Sequence, residues 1–130
     1  MSTLTPKLTL TSTDSSTDKL DFTVTATLAV GPPSLGVSRA ILAVNGGSDT
    51  AIKPAGSAGN HFLYAKHTGL QGDGTTTATN AVVLKLGSTS LSVLTPGEWC
   101  FFNVINSGVI NAISSSSETL TLEYAYWTKS

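Results

Sequence analysis

The sequence predicts an all-β protein, a single-domain β-sandwich or jelly roll of about eight to ten short antiparallel strands. Apolar residues alternate with polar ones in short runs, and Gly, Pro, Asn and Asp separate the runs. No segment combines the apolar periodicity of a helix with a cap and sufficient length. With 130 residues, the chain has the length of one domain and enough material for a core without metal or disulfide crosslinks.

The first part of the chain contains two alternating runs. Residues 1–6 are predicted to form a flexible arm ahead of a β-sandwich domain at residues 7–130, because Pro6 cannot donate a hydrogen bond to a ladder. Residues 7–11 alternate and predict a first strand. The longest alternation, at residues 20–30, has apolar residues at every second position and predicts one strand with one buried face.

Turn residues and shorter runs follow in the middle of the chain. The Gly-Pro-Pro-Ser sequence at residues 31–34 is predicted to end the preceding strand. Residues 37–44 predict another strand that is buried on both faces, at Ile41 and Leu42. Further along, the sequence predicts a turn at 45–47, an edge strand at 50–53, a strand at 61–67 and a polar loop at 68–80.

The last third, residues 82–127, is predicted to be a meander of strands that contains most of the core. Strand parity assigns an inward-facing set: Val82, Leu84, Leu86, Leu91, Val93, Cys100, Phe102, Val104, Leu120, Leu122, Tyr124 and Tyr126. That assignment leaves Trp99 and Trp127 as the aromatic residues expected to face a partner, because Trp is enriched at protein interfaces.

Charge and targeting signals narrow the function classes. Only 12% of residues are charged, the net charge is −1, and the seven basic residues are scattered singly, so neither nucleic acid nor membrane is expected as a partner. The single cysteine, Cys100, excludes an internal disulfide and is expected to pack as a small apolar residue. The N-terminus lacks the pattern of a signal peptide, which favours assembly in the cytoplasm.

The sequence contains no convincing pattern for a metal or cofactor site. His61 and His67 lie six residues apart, roughly 20 Å along an extended strand, and are predicted to be surface or edge histidines rather than joint metal ligands. The Gly-Asp-Gly sequence around Asp73 lacks the lysine of a phosphate-binding loop and the repeated acidic residues of a calcium loop. We therefore predict a turn there, and no metal or cofactor.

No catalytic residues are predicted. Glu98, Glu118 and Glu123 fall on separate strands or turns, and only a defined separation between two of them would favour a glycosidase. Trp99 could stack on a sugar ring, but packing in the core or at an interface is favoured.

Several segments taken in order are similar to small virion structural proteins of tailed phages. They are KLTLTSTD (7–14), DKLDFTV (18–24), GVSRAI (36–41), FLYAKHT (62–68), LSVLTPGEW (91–99) and LTLEY (120–124). The resemblance implies a capsid decoration, or cement, protein: an all-β and commonly trimeric protein that bridges major capsid proteins on the virion surface and has no catalytic residues.

The resemblance leads us to expect a non-enzymatic capsid decoration protein that binds the major capsid protein as a homotrimer. The candidate partner-binding residues are Leu4 and Pro6 in the N-terminal arm, Asp73 in the 68–80 loop, and Trp99 and Trp127. One alternative is a tail-fibre or tail-tip domain that binds host glycans, and a second is a small glycan-active enzyme with a β-sandwich fold.

Overall fold

The structure, a computed structural model, describes residues 2–12, 21–54, 60–105 and 108–130. Within these ranges the regular secondary structure consists of β-strands and contains no helix, which confirms the predicted all-β class. The eleven strands are β1 (Ser2–Leu4), β2 (Lys7–Thr11), β3 (Asp21–Thr25), β4 (Leu28–Leu42), β5 (Thr50–Lys53), β6 (His61–Gln71), β7 (Val82–Leu86), β8 (Thr89–Leu94), β9 (Trp99–Val104), β10 (Ile110–Ser114) and β11 (Leu120–Lys129).

Eight of these strands are wound as a jelly roll. One sheet has the strand order β1-β4-β11-β6-β9, and the other has the order β5-β10-β7-β8. The antiparallel partners are nested, since β4 pairs with β11, β5 with β10, β6 with β9, and β7 with β8. Such nested pairing arises when one long hairpin folds over on itself, which is the topology of a jelly roll.

The core lies between the two sheets. Its large apolar residues that are at most 1% exposed include Leu42, Ile52, Leu63, Leu84, Ile110, Leu120 and Leu122. Burying one such side chain contributes about 1.5–3 kcal/mol, so these residues supply a large part of the driving force for folding.

The alternating run at residues 20–30 is divided between two sheets, contrary to the prediction of one strand. Residues 21–25 form β3, whose one partner among the described strands is β2, while Leu28 begins β4 in the five-stranded sheet. The amide of Ala26 donates to the carbonyl of Pro6 at 3.2 Å and closes the β2–β3 pair at its base. Leu20 lies outside the described residues.

The N-terminal residues also differ from the predicted arm. Ser2–Leu4 form β1, which pairs with the first residues of β4, from Leu28 to Val30. Backbone pairing therefore attaches this segment to the sheet. The element that forms a separate small sheet is instead β2 with β3.

The prolines after Gly31 do not end the strand, so that prediction was wrong. β4 continues to Leu42, and the adjacent residues Trp127 and Thr128 of β11 pair with Ser34 and Gly31. Two residues of β4 are therefore extra at this point, which forms an irregularity in the ladder. The described part of β1 pairs only as far as Val30, so the prolines lie along a sheet edge, where a missing N–H is tolerated.

Three residues predicted to be buried face outwards instead. Ile41 is 63% exposed while its neighbour Leu42 is fully buried, as the alternation of a strand with one buried face requires. Leu91 and Val93 are 46% and 56% exposed, because Leu94 of the same strand takes the inward position.

The last third is not a meander, because consecutive strands there mostly change sheets and only β7 and β8 form a hairpin. The other predicted inward faces are confirmed, with Phe102, Tyr124 and Tyr126 packed against the core. The predicted turn at 45–47 is present, with Gly46 at a φ of 88°, and the predicted edge strand is β5.

Candidate interaction surface

The two-stranded sheet of β2 and β3, called the ribbon below, has an apolar and a polar face. On one face Leu8 lies opposite Val24, and Leu10 lies opposite Phe22. The other face carries threonines, and the hydroxyls of Thr9 and Thr23 lie within hydrogen-bonding distance at 3.1 Å. The ribbon is thus amphipathic although it belongs to neither sheet of the sandwich.

The apolar face of the ribbon is open to solvent. Leu8 and Leu10 are 38% exposed, Phe22 is 40% exposed and Val24 is 53% exposed. A lone two-stranded hairpin is at best marginally stable in water. A ribbon with four large apolar side chains on one face therefore has the character of a surface that another molecule covers.

A layer of aromatic residues lies on the outer face of the five-stranded sheet. Its members alternate with the inward-facing residues of β6, β9 and β11, and they are Phe62, Tyr64, Trp99, Phe101 and Trp127. Phe62 is only 5% exposed although it faces away from the core, and the Lys129 ammonium lies 4.9 Å from its ring centroid. We call this layer the aromatic face; the outward residues of a β-sandwich are ordinarily polar.

The ribbon and the aromatic face enclose an apolar cleft of about 280 Å³. Its walls are Pro6, Lys7, Leu8, Val24 and Ala26 on the ribbon side and Trp99 and Phe101 on the sheet side. Lys7 is the only charged residue among them, and Trp99 is 53% exposed. We call this cavity the ribbon cleft, and its chemistry suits apolar side chains.

Of the predicted partner-binding residues, Pro6 and Trp99 meet in the ribbon cleft. Trp127 lines a different cleft of about 300 Å³, together with Ser2, Thr3, Val30, Gly31 and Pro32. Leu4 lies in β1 and pairs with Leu28. The structure therefore brings Pro6 and Trp99 together in one cleft, whereas Leu4, Asp73 and Trp127 are not among the residues that line it.

Asp73 organises its own turn. Its Oδ1 accepts hydrogen bonds from the backbone amides of Thr75 and Thr76 at 2.9 and 2.8 Å, and its Oδ2 accepts from the Thr76 hydroxyl. The Thr76 hydroxyl and these two amides stabilise the ionised form and lower the pKa of Asp73 to about 2. β6 extends to Gln71, so the predicted loop at 68–80 begins only after that residue. The carboxylate has a structural role in this turn that the sequence did not reveal.

The three glutamates singled out in the sequence each bind a different local group. Glu98 accepts from the amide of Thr95 at 2.7 Å, which lowers the pKa of its carboxyl. Glu118 accepts from the amides of Asn80 and Thr79 and from the Thr79 hydroxyl, and these bonds lower its pKa in the same way. A general acid would need a raised pKa, so neither of these two glutamates has the character of one.

Glu123 lies on the aromatic face between two partners. The hydroxyl of Tyr64 donates to it at 3.0 Å, and the guanidinium of Arg39 lies 3.6 Å from its other oxygen. Burial together with this carboxylate raises the pKa of Tyr64 to about 12. The glutamate thus holds neighbouring strands of the sheet together.

Both histidines are buried, contrary to the prediction of surface or edge positions. His67 is fully buried, with Nε2 2.9 Å from the carbonyl of Asn80 and Nδ1 accepting from the amide of Gly69 at 3.1 Å. His61 is 1% exposed, and its Nδ1 has no hydrogen-bond partner among the described residues. The alternation of side chains along β6 turns both rings towards the core. The polar character of histidine gave no indication of this burial.

A lysine is buried close to His61. Lys53 is fully buried, and its ammonium donates to the carbonyls of Ile105, at 3.1 Å, and Gly108. Burial lowers the pKa of Lys53, and burial together with the lysine charge lowers the pKa of His61. The lysine thus holds the two ends of the 105–108 segment against the sandwich.

Cys100 packs partly buried against the core, as the sequence predicted, and burial raises the pKa of its thiol. Such a thiol is a poor nucleophile at neutral pH.

Sequence reasoning missed the ribbon and one wall of its cleft. Two alternating runs of equal length, at residues 7–11 and 21–25, flank a polar segment, which is the pattern of a hairpin. Phe101 stands two residues after Trp99 and therefore shares its face, so the same parity that singled out Trp99 could have found it.

Comparison with known proteins identifies no family. Neither a protein-family model nor a curated protein matches this chain. In the described ranges, no helix is long and apolar enough to cross a membrane. The same ranges contain no group of three or more His, Cys, Asp and Glu residues arranged to hold a metal ion.

Proposed function

We propose that the protein is a tailed-phage capsid decoration, or cement, protein that binds the assembled shell of the major capsid protein without catalysis. It acts as a homotrimer on the virion surface after assembly in the host cytoplasm. The order of the sequence motifs and the jelly-roll winding, a topology that occurs among viral capsid proteins, both support this proposal.

The observation that carries the proposal is the solvent-exposed apolar face of the ribbon. Leu10 and Phe22 are each about two-fifths exposed, and Val24 is more than half exposed. Apolar surface of this kind is stabilised by contact with another apolar surface, at roughly 25 cal/mol for each Å² removed from water. A protein with such a ribbon therefore works by binding.

The chemistry of the ribbon cleft favours a protein partner over a sugar. A glycan site needs polar side chains that bind hydroxyl groups beside an aromatic platform, as ligand sites generally combine apolar walls with a few placed polar groups. The cleft offers Trp99 as a platform, but the other walls named above are apolar except for Lys7. Binding to a protein shell is therefore preferred to the tail-fibre alternative.

The described carboxylates also favour binding over hydrolysis. Glu98 and Glu118 are held in ionised form by backbone amides, and Glu123 is engaged by Tyr64 and Arg39. A glycosidase needs one protonated carboxyl as general acid beside an ionised one. The three glutamates have structural partners instead.

Decoration stabilises a shell by mass action. A protein that binds only the assembled state shifts the equilibrium towards assembly in proportion to its occupancy. Trp127 and the segment from residue 72 to residue 80 remain proposed additional contacts with the shell, and the exposed ribbon replaces residues 1–6 as the main proposed contact.

The test is co-sedimentation of the purified protein with shells of the major capsid protein encoded in the same genome. Val24→Ser changes the ribbon, and Val93→Ser is a matched control on the opposite sheet, since the two valines are 53% and 56% exposed. We expect saturable binding of the unmodified protein, at least tenfold weaker binding of Val24→Ser, and unchanged binding of Val93→Ser.

Two results would overturn the proposal. Failure of the unmodified protein to sediment with the shells would remove the capsid as partner. Equal binding by Val24→Ser and the unmodified protein would remove the ribbon as the contact. Far-ultraviolet circular dichroism of each variant shows whether the fold is retained.

A further inference from the structure

We infer that the aromatic face binds a protein segment rich in Asp and Glu, because the fold gathers basic side chains on this face. The sequence scatters its basic residues singly. Yet four of the six in the described part of the chain lie on or beside the aromatic face, namely Lys7, Arg39, Lys66 and Lys129. The inference rests on the proposed function in taking a protein as the partner, and it names the chemistry of that partner.

A row of directly paired residues crosses four neighbouring strands of the sheet. Arg39 of β4 pairs with Glu123 of β11. Lys66 of β6 lies on the other side of Glu123, and it pairs in turn with Trp99 of β9. Directly paired residues of an antiparallel sheet project to the same face. Two positive charges and an exposed indole ring therefore lie in one line of roughly 15 Å, since neighbouring strands are about 4.8 Å apart.

Two lysines extend the positive charge beyond this row. Lys7 is an exposed residue in the wall of the ribbon cleft, together with Trp99 and Phe101. The Lys129 ammonium lies 4.9 Å from the centroid of the Phe62 ring, and an ammonium over a ring face is attracted to it. Positive charge therefore accompanies the aromatic rings from the cleft to the end of β11.

The negative side chains lie elsewhere or are already engaged. Glu123 is the one acidic residue in the described strands of the five-stranded sheet, and Tyr64 and Arg39 contact its two oxygens. The other described acidic residues do not belong to these strands; they are Asp21, Asp49, Asp73, Glu98 and Glu118. Four positive side chains thus meet a single negative one, although the whole chain has a net charge of −1.

Charge complementarity identifies the partner as acidic. Positive surface steers negatively charged partners into contact and disfavours positive ones. The Arg39 side chain is 68% exposed and contacts Glu123 through one nitrogen, so its remaining N–H donors suit a second carboxylate. Lys66 stands directly beside Trp99, which is 53% exposed. The row therefore suits a segment in which carboxylates stand next to apolar side chains.

The aromatic rings favour a protein segment over a nucleic acid. Single-stranded nucleic acid stacks its bases on open aromatic faces. Phe62 is only 5% exposed, and its ring is stacked on that of Phe101 with centroids 6.0 Å apart. Among the described rings of this face, Trp99 is the one that is more than half exposed. The apolar ribbon cleft beside it suits the side chains of a polypeptide.

The test is fluorescence anisotropy with three labelled probes. The first is a short peptide of Glu with Leu at every third position, the second has Gln in place of each Glu, and the third is an oligothymidylate of equal length. We expect the Glu peptide to bind, and the Gln peptide and the oligothymidylate to bind roughly tenfold more weakly. Added salt should weaken binding of the Glu peptide, because salt screens exposed charges.

Two substitutions remove positive charge from the face while keeping part of the aliphatic stem. Arg39→Gln and Lys66→Gln should each weaken binding of the Glu peptide roughly threefold, and the double variant roughly tenfold. Lys85→Gln is the matched control, because it removes the same charge from the other sheet, where Lys85 pairs with Asp49 at 3.1 Å. This variant should bind as the unmodified protein does. Circular dichroism of each variant shows whether the fold is retained.

Three results would overturn the inference. The first is a Glu peptide that does not bind, or that binds no better than the Gln peptide. The second is tighter binding of the oligothymidylate, which would make nucleic acid the partner. The third is an equal loss of binding in Lys85→Gln and Lys66→Gln, which would make the overall charge of the protein the cause.

Co-sedimentation with capsid shells is measured separately, which keeps the two proposals distinguishable. Binding of the Glu peptide without binding of the shells would refute the capsid function alone. Shell binding that is unchanged in the double variant of Arg39 and Lys66 would refute the acidic partner alone.

Discussion

The rings of Phe62 and Phe101 lie nearly parallel on the outer face of the five-stranded sheet, with centroids 6.0 Å apart and an interplanar angle of 10°. Phe62 is buried there although its side chain points away from the core. The protein therefore has an apolar layer outside its sandwich as well as within it. The ribbon lies beside this layer and leaves an open cleft, and we propose that the protein binds its partner through this surface.

The buried Lys53 should be important for stability. Replacement by Met leaves the carbonyls of Ile105 and Gly108 without this donor, and we expect a loss of about 1–3 kcal/mol in the free energy of unfolding. Two carbonyls left without a hydrogen bond should cost more free energy than is gained by removing the buried charge, because hydrogen bonds already compensate much of the cost of burying the ammonium. Urea denaturation measures the change.

Lys85→Met is the control for that experiment. Lys85 pairs with Asp49 at 3.1 Å near the surface, and such pairs contribute about 0–1 kcal/mol. Equal stability losses in the two variants would contradict a special role for Lys53.

Stability should fall as the pH decreases through 6.5 because of His61. Burial, with the neighbouring Lys53 charge, lowers the pKa of His61 in the folded protein below its ordinary value of 6.5. In the pH range between the folded value and 6.5, the unfolded chain binds a proton that the folded chain does not. Stability is therefore lost as the pH falls, by at most about 1.4 kcal/mol per pH unit for this one group.

His61→Phe removes the titrating group while retaining a ring beside Tyr126, with which His61 makes an edge contact at 5.8 Å. Urea denaturation above and below pH 6.5 should show a smaller pH dependence for this variant than for the unmodified protein. Identical pH dependence of the two proteins would rule out His61 as the source.

Gly72 allows a close approach of two loops and should not tolerate a side chain. A Cβ atom at this position would lie 2.5 Å from Oγ1 of Thr119 and 2.9 Å from Cγ2 of Ile41. We expect Gly72→Ala to destabilise the protein by about 1–3 kcal/mol in thermal or urea unfolding. Gly36→Ala is the control, since a Cβ there meets nothing within 4 Å; a similar loss in both variants would contradict the steric explanation.

Asp73 should titrate far below a normal aspartate. The hydrogen bond from the Thr76 hydroxyl, with those from the amides of Thr75 and Thr76, lowers its pKa to about 2. Carbon-detected magnetic resonance of the side-chain carboxyl would measure this value. Thr76→Val removes the hydroxyl donor and should raise the pKa towards 3.8, the ordinary value. An Asp73 pKa near 3.8 in the unmodified protein would show that the turn is not closed by this carboxylate.

The sequence predicted the strands better than their arrangement. Period-two alternation identified β2, β7 and most of β11, because that signal depends on local geometry alone. It could not reveal that residues 20–30 serve two sheets, since Phe22 and Leu28 share the same parity and differ only in their distant partners. The nested pairing of the jelly roll likewise depends on contacts far apart in the chain.

The site was predicted in part for similar reasons. Parity placed Trp99 on the face opposite Phe102, and the structure agrees. The exposed apolar face of the ribbon was not predictable, because Leu8 and Val24 have the pattern of core residues and only the tertiary structure leaves them uncovered. The burial of His61 was not predicted, because the sequence of residues 61–67 does not indicate which face of the strand is buried and a polar side chain is more often exposed.

Electron cryo-microscopy of the purified virion tests the central claim most directly. Density for this chain should lie on the outer surface of the capsid, with the ribbon in contact with a neighbouring protein and its apolar face covered. Density in the tail, or a decorated capsid in which Leu10 and Phe22 remain open to solvent, would contradict the proposed function or the proposed contact, respectively.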